Sequence, residues 1–168
     1  MRSFIEQMFK VHIKFDSMIL IQPNVTLLKQ GYTLDDIKKH IEICARTCYK
    51  SVGTETSYQS FIDKLISSGH LAMLEHGTVY LKRRVEHISK PTMAYRYKAN
   101  PYSRVNSDEV GTKYITTNLR VIVENGWKED LKYLSFPERW HDKRITLRII
   151  TDIGLGRELC RHKILCVA

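Results

Sequence analysis

Near the end of the chain, Arg157-Glu158-Leu159-Cys160-Arg161-His162-Lys163 gathers basic, imidazole and carboxylate side chains in one run. Arg157 and Arg161 stand four apart, so on a helix they share a face. Cationic side chains beside a helix N-terminus make a phosphate site. A solvated basic helix end accounts for the same run, because charge runs are usually surface. The preceding Gly154-Leu155-Gly156 is half of a dinucleotide fingerprint and lacks the third glycine.

A second cluster, Gly69-His70-Leu71-Ala72-Met73-Leu74-Glu75-His76, sets two histidines and a carboxylate at a helix exit. It is not the H-E-x-x-H pattern of zinc peptidases. Glu75 beside His76 can orient an imidazole; taken alone, the cluster fits better as a polar turn with His76 bonded to backbone. A third stretch, Lys82 to Arg104, interleaves Tyr95, Tyr97 and Tyr102 with Lys82, Arg83, Arg84, Lys90, Arg96, Lys98 and Arg104. That mixture suits single-stranded nucleic acid, a nucleotide or flat heteroaromatic cofactor, or a loop whose tyrosines pack on the core. The chain has no G-x-S-x-G, no P-loop and no nucleophile–base pair, so a hydrolase has no support.

The elements that must position these clusters read as follows. Val11 to Phe15 alternates apolar and polar, which is strand-like, and Met18 to Gln22 is a second short strand stopped by Pro23. Thr33 caps a helix with Asp35 and Asp36 at its positive end, and Leu34, Ile37, Ile41, Cys44 and Cys48 fall on one face. A turn around Gly53 precedes a second helix, where Thr56 and Gln59 have capping-box spacing. Tyr58, Phe61, Ile62, Leu65 and Ile66 form its stripe and Gly69 its C-cap.

Thr78 to Leu81 is a strand entered through Glu75-His76-Gly77. Residues 82–113 read as a long basic, largely irregular segment, of the kind that is functional or mobile. Asn118 caps a helix with Leu119, Ile122 and Val123, ending near Gly126. Lys128 to Ser135 is another helical turn or two, closed by Pro137. Ile145, Leu147 and Ile149 alternate as a strand, and Gly154 and Gly156 lead into a helix from Arg157 to Lys163. No repeat or linker splits the chain.

The 168 residues fit one α/β (α+β) domain. A hydrophobic share of 43% and a charged share of 27% exclude whole-chain disorder. No apolar run approaches the roughly 18 residues of a membrane span, and the N-terminus lacks the apolar core of a signal peptide. The net charge of +9 favours anionic partners without choosing among them. Cys44, Cys48, Cys160 and Cys166 form no C-x-x-C pair, which points to reduced thiols in a cytoplasmic protein. A zinc site on Cys44 and Cys48 would need two further ligands, so no metal is expected.

In order along the chain, these pieces resemble the flavin-dependent thymidylate synthases, the ThyX family. The matching text is Ala45-Arg46-Thr47-Cys48-Tyr49-Lys50-Ser51, Gly69-His70 through Leu74-Glu75-His76, Tyr114-Ile115-Thr116-Thr117-Asn118-Leu119-Arg120 and Arg161-His162-Lys163. The resemblance spans nearly all of the chain from Val11. It implies a mixed sheet with packed helices and a homotetramer with active sites between subunits. It also implies FAD, dUMP as methyl acceptor, methylenetetrahydrofolate as carbon donor and NADPH as reductant. The flavin then carries the hydride, and the protein positions ligands and supplies charge.

The family signature begins R-H-R, passes a Ser and ends E-S-x-R-Y. Arg161 and His162 match its start. Lys163 replaces the second Arg, keeping the charge but losing the planar fork, and Cys166 falls on the signature Ser. Ala168 precedes the closing residues, and Ile164 to Ala168 is an apolar end where polar residues are usual. The expectation is therefore an N-terminal portion, truncated or frame-shifted and incomplete at the C-terminus, with little or no activity alone. By the resemblance, Arg161, His162 and Lys163 touch flavin phosphates, and Glu158 and Arg161 face dUMP. His70 lies near the flavin–folate stack, so His70 and Arg161 are the catalytic candidates. Ala72 takes a flavin-contact position where some members carry Thr. The alternatives are a basic nucleic-acid-binding domain and a non-catalytic remnant that folds by pairing with intact subunits.

Overall fold

The computed structural model describes residues 22–49, 58–84 and 93–161. The element order is β1 (Asn24–Leu28), α1 (Leu34–Tyr49), α2 (Tyr58–Ser67), a 3-10 turn (Leu71–His76), β2 (Thr78–Arg84), α3 (Met93–Ala99), β3 (Arg104–Ser107), β4 (Thr112–Asn118), α4 (Leu119–Glu124), a second 3-10 turn (Lys128–Tyr133), β5 (Thr146–Ile150) and α5 (Ile153–Arg161). Helices and antiparallel sheets together make the α/β fold expected from the sequence. One sheet has the order β2-β4-β3 and the other pairs β1 with β5; every described ladder is antiparallel. The readings at Val11–Phe15, Met18–Ile21, Gly53 and Thr56 lie outside the described residues, as do His162, Lys163 and Ile164–Ala168.

Local chemistry sets the helix ends. The Asp36 amide donates to Thr33 Oγ1 at 3.1 Å and the Thr33 hydroxyl donates back to Asp36 Oδ2 at 2.6 Å. This reciprocal cap satisfies donors that the first helical turn leaves orphaned. It also holds the Asp36 carboxyl below its ordinary pKa, chiefly through the Thr33 side chain. At the far end of α2, Gly69 takes φ +74. There the Gly69 and His70 amides reach back to the carbonyls of Ile66 and Leu65, a left-handed stop that favours glycine. Asn118 caps α4 by accepting the Val121 amide at 2.9 Å.

The core lies where α1, α2 and α4 meet the β2–β4 pair. Ile37, Ile41, Ala45, Ile62, Leu65, Leu74, Val79, Leu81, Ile115 and Ile122 form its centre. The stripe predicted for α1 holds at Ile37, Ile41 and Cys44, but Cys48 is exposed and His40 and Ala45 are buried instead. Gly77 makes this packing possible. A Cβ there would stand 2.5 Å from Ile41 Cδ1 and 2.9 Å from Ile37 Cγ2. The Gln30 side chain takes the place of a strand beside Thr78, donating to its carbonyl at 2.7 Å and accepting its amide at 2.9 Å.

Among the described residues of 82–113, the structure is more ordered than a largely irregular segment, with short elements. Strand β2 runs on to Arg84, and α3 and β3 fall inside the segment. The short helix was hard to foresee because its order comes from distant partners. Tyr97 is fully buried, its hydroxyl donates to Asp130 Oδ2 at 2.9 Å, and Trp127 packs edge-on at 4.8 Å. The glycines at 154 and 156 also differ from expectation: both lie inside α5, which starts at Ile153 and is capped by Asp152 accepting the Leu155 amide at 3.0 Å.

Candidate functional site

The turn between α2 and β2 carries the candidate site. Gly69 ends α2, His70 leaves it, and Leu71 to His76 wind one tight 3-10 turn before Gly77 starts the approach to β2. Across from this turn stands α4, which follows β4 without a loop. Between them opens a pocket of about 370 Å³, lined by Gly69, His70, Leu71, Ala72, Met73, Arg120 and Glu124.

Arg120 ties the two walls together. Its Nη1 bonds Glu75 Oε1, and its Nε donates to Glu124 Oε1 at 2.7 Å. The Glu75 carboxylate that the sequence offers as a partner for His76 is thus paired with Arg120. His76 turns inward and is buried. Burial lowers its pKa, against a smaller opposite pull from Glu75. His40 is buried too, bonded to Thr146 Oγ1 at 2.9 Å and close to Cys44 Sγ at 3.8 Å. Its pKa is lowered first by burial and then by His76, and burial pushes the Cys44 thiol up to about 11. That thiol is a core group, since the reactive form is the thiolate.

Of the site residues read from the sequence, the fold brings His70 and Ala72 together on one wall of the pocket, both exposed. Glu158 lies exposed on α5 and is not among the pocket's lining residues. Arg161 is the last residue of α5; its side chain lies outside the description, as do His162 and Lys163. Arg120 and Glu124 line the pocket without having been singled out as site residues. Their i, i+4 spacing was a readable pairing signal, but nothing local shows that α4 faces the 69–73 turn.

Among the described residues, the basic and aromatic side chains of the Lys82 to Arg104 stretch take separate partners. Lys82 pairs with Glu138 at 2.7 Å, Arg83 lies over Tyr133 at 5.0 Å, and Arg96 pairs with Asp130 while lying over Trp127 at 4.7 Å. Tyr97 belongs to the core, while Tyr95 and Tyr102 stay exposed. His141 is buried against this region, accepting the Glu138 amide at Nδ1 (3.0 Å), so its Nε2–H donates to the Leu81 carbonyl at 3.1 Å.

Among the described residues no group of His, Cys, Asp or Glu could hold a metal ion, and no helix is long and apolar enough to cross a membrane. No family model matches the chain, and neither a curated protein nor a solved structure matches it.

Proposed function

We propose that this chain is a flavin-dependent thymidylate synthase homologue and that the pocket between the 69–73 turn and α4 receives the ring system of FAD. The observation that carries the reading is the shared wall of His70 and Ala72. The resemblance assigns these two positions to the flavin, and both line one pocket.

Leu71 and Met73 offer apolar surface to a flat heterocycle, beside the polar groups of His70, Arg120 and Glu124. Arg120 is held by two carboxylates, so the charge it would lend an anion is already largely balanced. Phosphates would fall instead to Arg161, His162 and Lys163, and dUMP to Glu158 and Arg161. FAD, when bound, would supply hydride transfer in a reductive methylation of dUMP to dTMP, with NADPH and methylenetetrahydrofolate as co-substrates. This chain's own contribution is placement: a fixed turn presents His70 and Ala72, and fixed polar groups need no reorganisation during reaction. A homotetramer would complete each site with residues from neighbouring subunits.

A titration of the purified chain with FAD, followed by visible absorbance with and without dUMP, tests this. The expected result is a saturable spectral shift strengthened by dUMP. A chain that is folded by circular dichroism and shows no shift at all overturns the assignment.

A further inference from the structure

We infer that Arg120 is a positioning residue for this pocket, holding the 71–76 turn against α4 so that His70 and Ala72 keep their places. The inference rests on the flavin reading for its consequence, but its geometry stands separately. A 3-10 helix has poorer hydrogen-bond geometry than an α-helix, and a run of six residues such as this one is longer than usual. Here no side chain caps its start at His70. Its two ends are held by backbone: the His70 amide bonds the Leu65 carbonyl, and the Leu119 amide bonds the Gly77 carbonyl at 2.9 Å.

Within the turn, Leu74 is buried in the core cluster that also holds Leu119 and Ile122, and Glu75 adds a charged link to α4. Arg120 spans from Glu75 to Glu124 using two different nitrogens of one planar group. Lysine cannot reproduce that fork, because its ammonium is a single point. Arg120 and Glu124 are also lining residues of the pocket, so a change in this pairing alters the pocket wall.

The test uses the full chain with Arg120→Gln, Arg120→Lys and Glu75→Gln, read by amide hydrogen exchange and by FAD titration. Exchange should quicken by about tenfold or more at residues 71–76 in all three variants, while β2 and β4 keep their protection. FAD binding should weaken in parallel, and Arg120→Lys should recover little of it. Unchanged exchange at 71–76 overturns the inference. Equal acceleration throughout β2 and β4 also overturns it, because Arg120 would then be a general stabiliser. If the parent chain binds FAD and Arg120→Gln binds it equally well, the positioning role fails while the flavin reading survives. If the parent chain binds no FAD, the flavin reading fails, and the exchange result alone decides whether Arg120 holds the turn.

Discussion

The amide of Leu119 donates to the carbonyl oxygen of Gly77 at 2.9 Å. This bond joins the first residue of α4 to the point where the 3-10 turn gives way to β2. Register makes it possible: Thr78 pairs with Asn118 across the β2–β4 ladder, so the residues flanking that pair meet. The pocket walls are therefore set by strand pairing and then trimmed by side chains.

Gly77→Ala should destabilise the chain by about 1–3 kcal/mol, the usual cost of overfilling a packed core. The backbone at Gly77 has φ −83, so the cost comes from contact with Ile37 and Ile41 and not from strain. Adding Ile41→Val removes the nearest methyl and should recover part of the loss. Urea midpoints for the two single variants and the double variant measure this; strict additivity would contradict it.

Asn118→Ala removes the cap of α4 and leaves a buried amide without its acceptor. A loss of about 1–2 kcal/mol is expected, whereas Asn118→Asp should retain most of the stability. Equal losses in both variants would mean that the side chain matters for packing and not for the bond.

Tyr97→Phe tests what orders α3. The hydroxyl bonds a buried carboxylate, so its loss should cost about 1.5–3 kcal/mol. Protease cleavage or exchange within 93–99 should rise first. A variant as stable as the parent would show that ring packing on Trp127 suffices.

Stability should also depend on pH from about 7 downward. His40, His76 and His141 all have pKa values lowered from 6.5, each mainly by burial. The unfolded chain therefore takes up protons at about pH 6.5, before the folded chain does, and stability falls as pH drops below that value. Above it the contribution is fully present. His40→Gln should flatten the slope in urea melts taken across this range; a slope equal to the parent's would exclude His40 as a source.

His70→Ala alters an exposed side chain on the pocket wall. Its stability should stay within about 0.5 kcal/mol of the parent's, while FAD affinity drops by about tenfold, equivalent to roughly 1.4 kcal/mol. Ala72→Thr should move affinity the other way by restoring a hydroxyl. Unaltered FAD binding in both would remove these residues from the site.

Three helix ends were legible in this chain because their causes are local, whereas the start of α5 at Ile153 was not. Thr33 with Asp36, Gly69 and Asn118 with Val121 each lie within four residues of what they satisfy, and each acts as its spacing predicts. The apolar face of α1 was legible for the same reason. Strand partners were not. The β5 alternation at Leu147 and Ile149 reads as a half-buried strand, yet these residues pair with Leu27 and Val25 in a ribbon where all four side chains remain exposed among the described residues. Alternation marks a strand's two faces; burial depends on what packs against them. The order within 82–113 was hidden similarly, since Tyr97 finds Asp130 from 33 residues away. At the site, sequence order placed His70 and Ala72 side by side. Their meeting with Arg120, 45 residues from the Glu75 it binds, needed the β2–β4 register, a long-range pairing that no local spacing encodes.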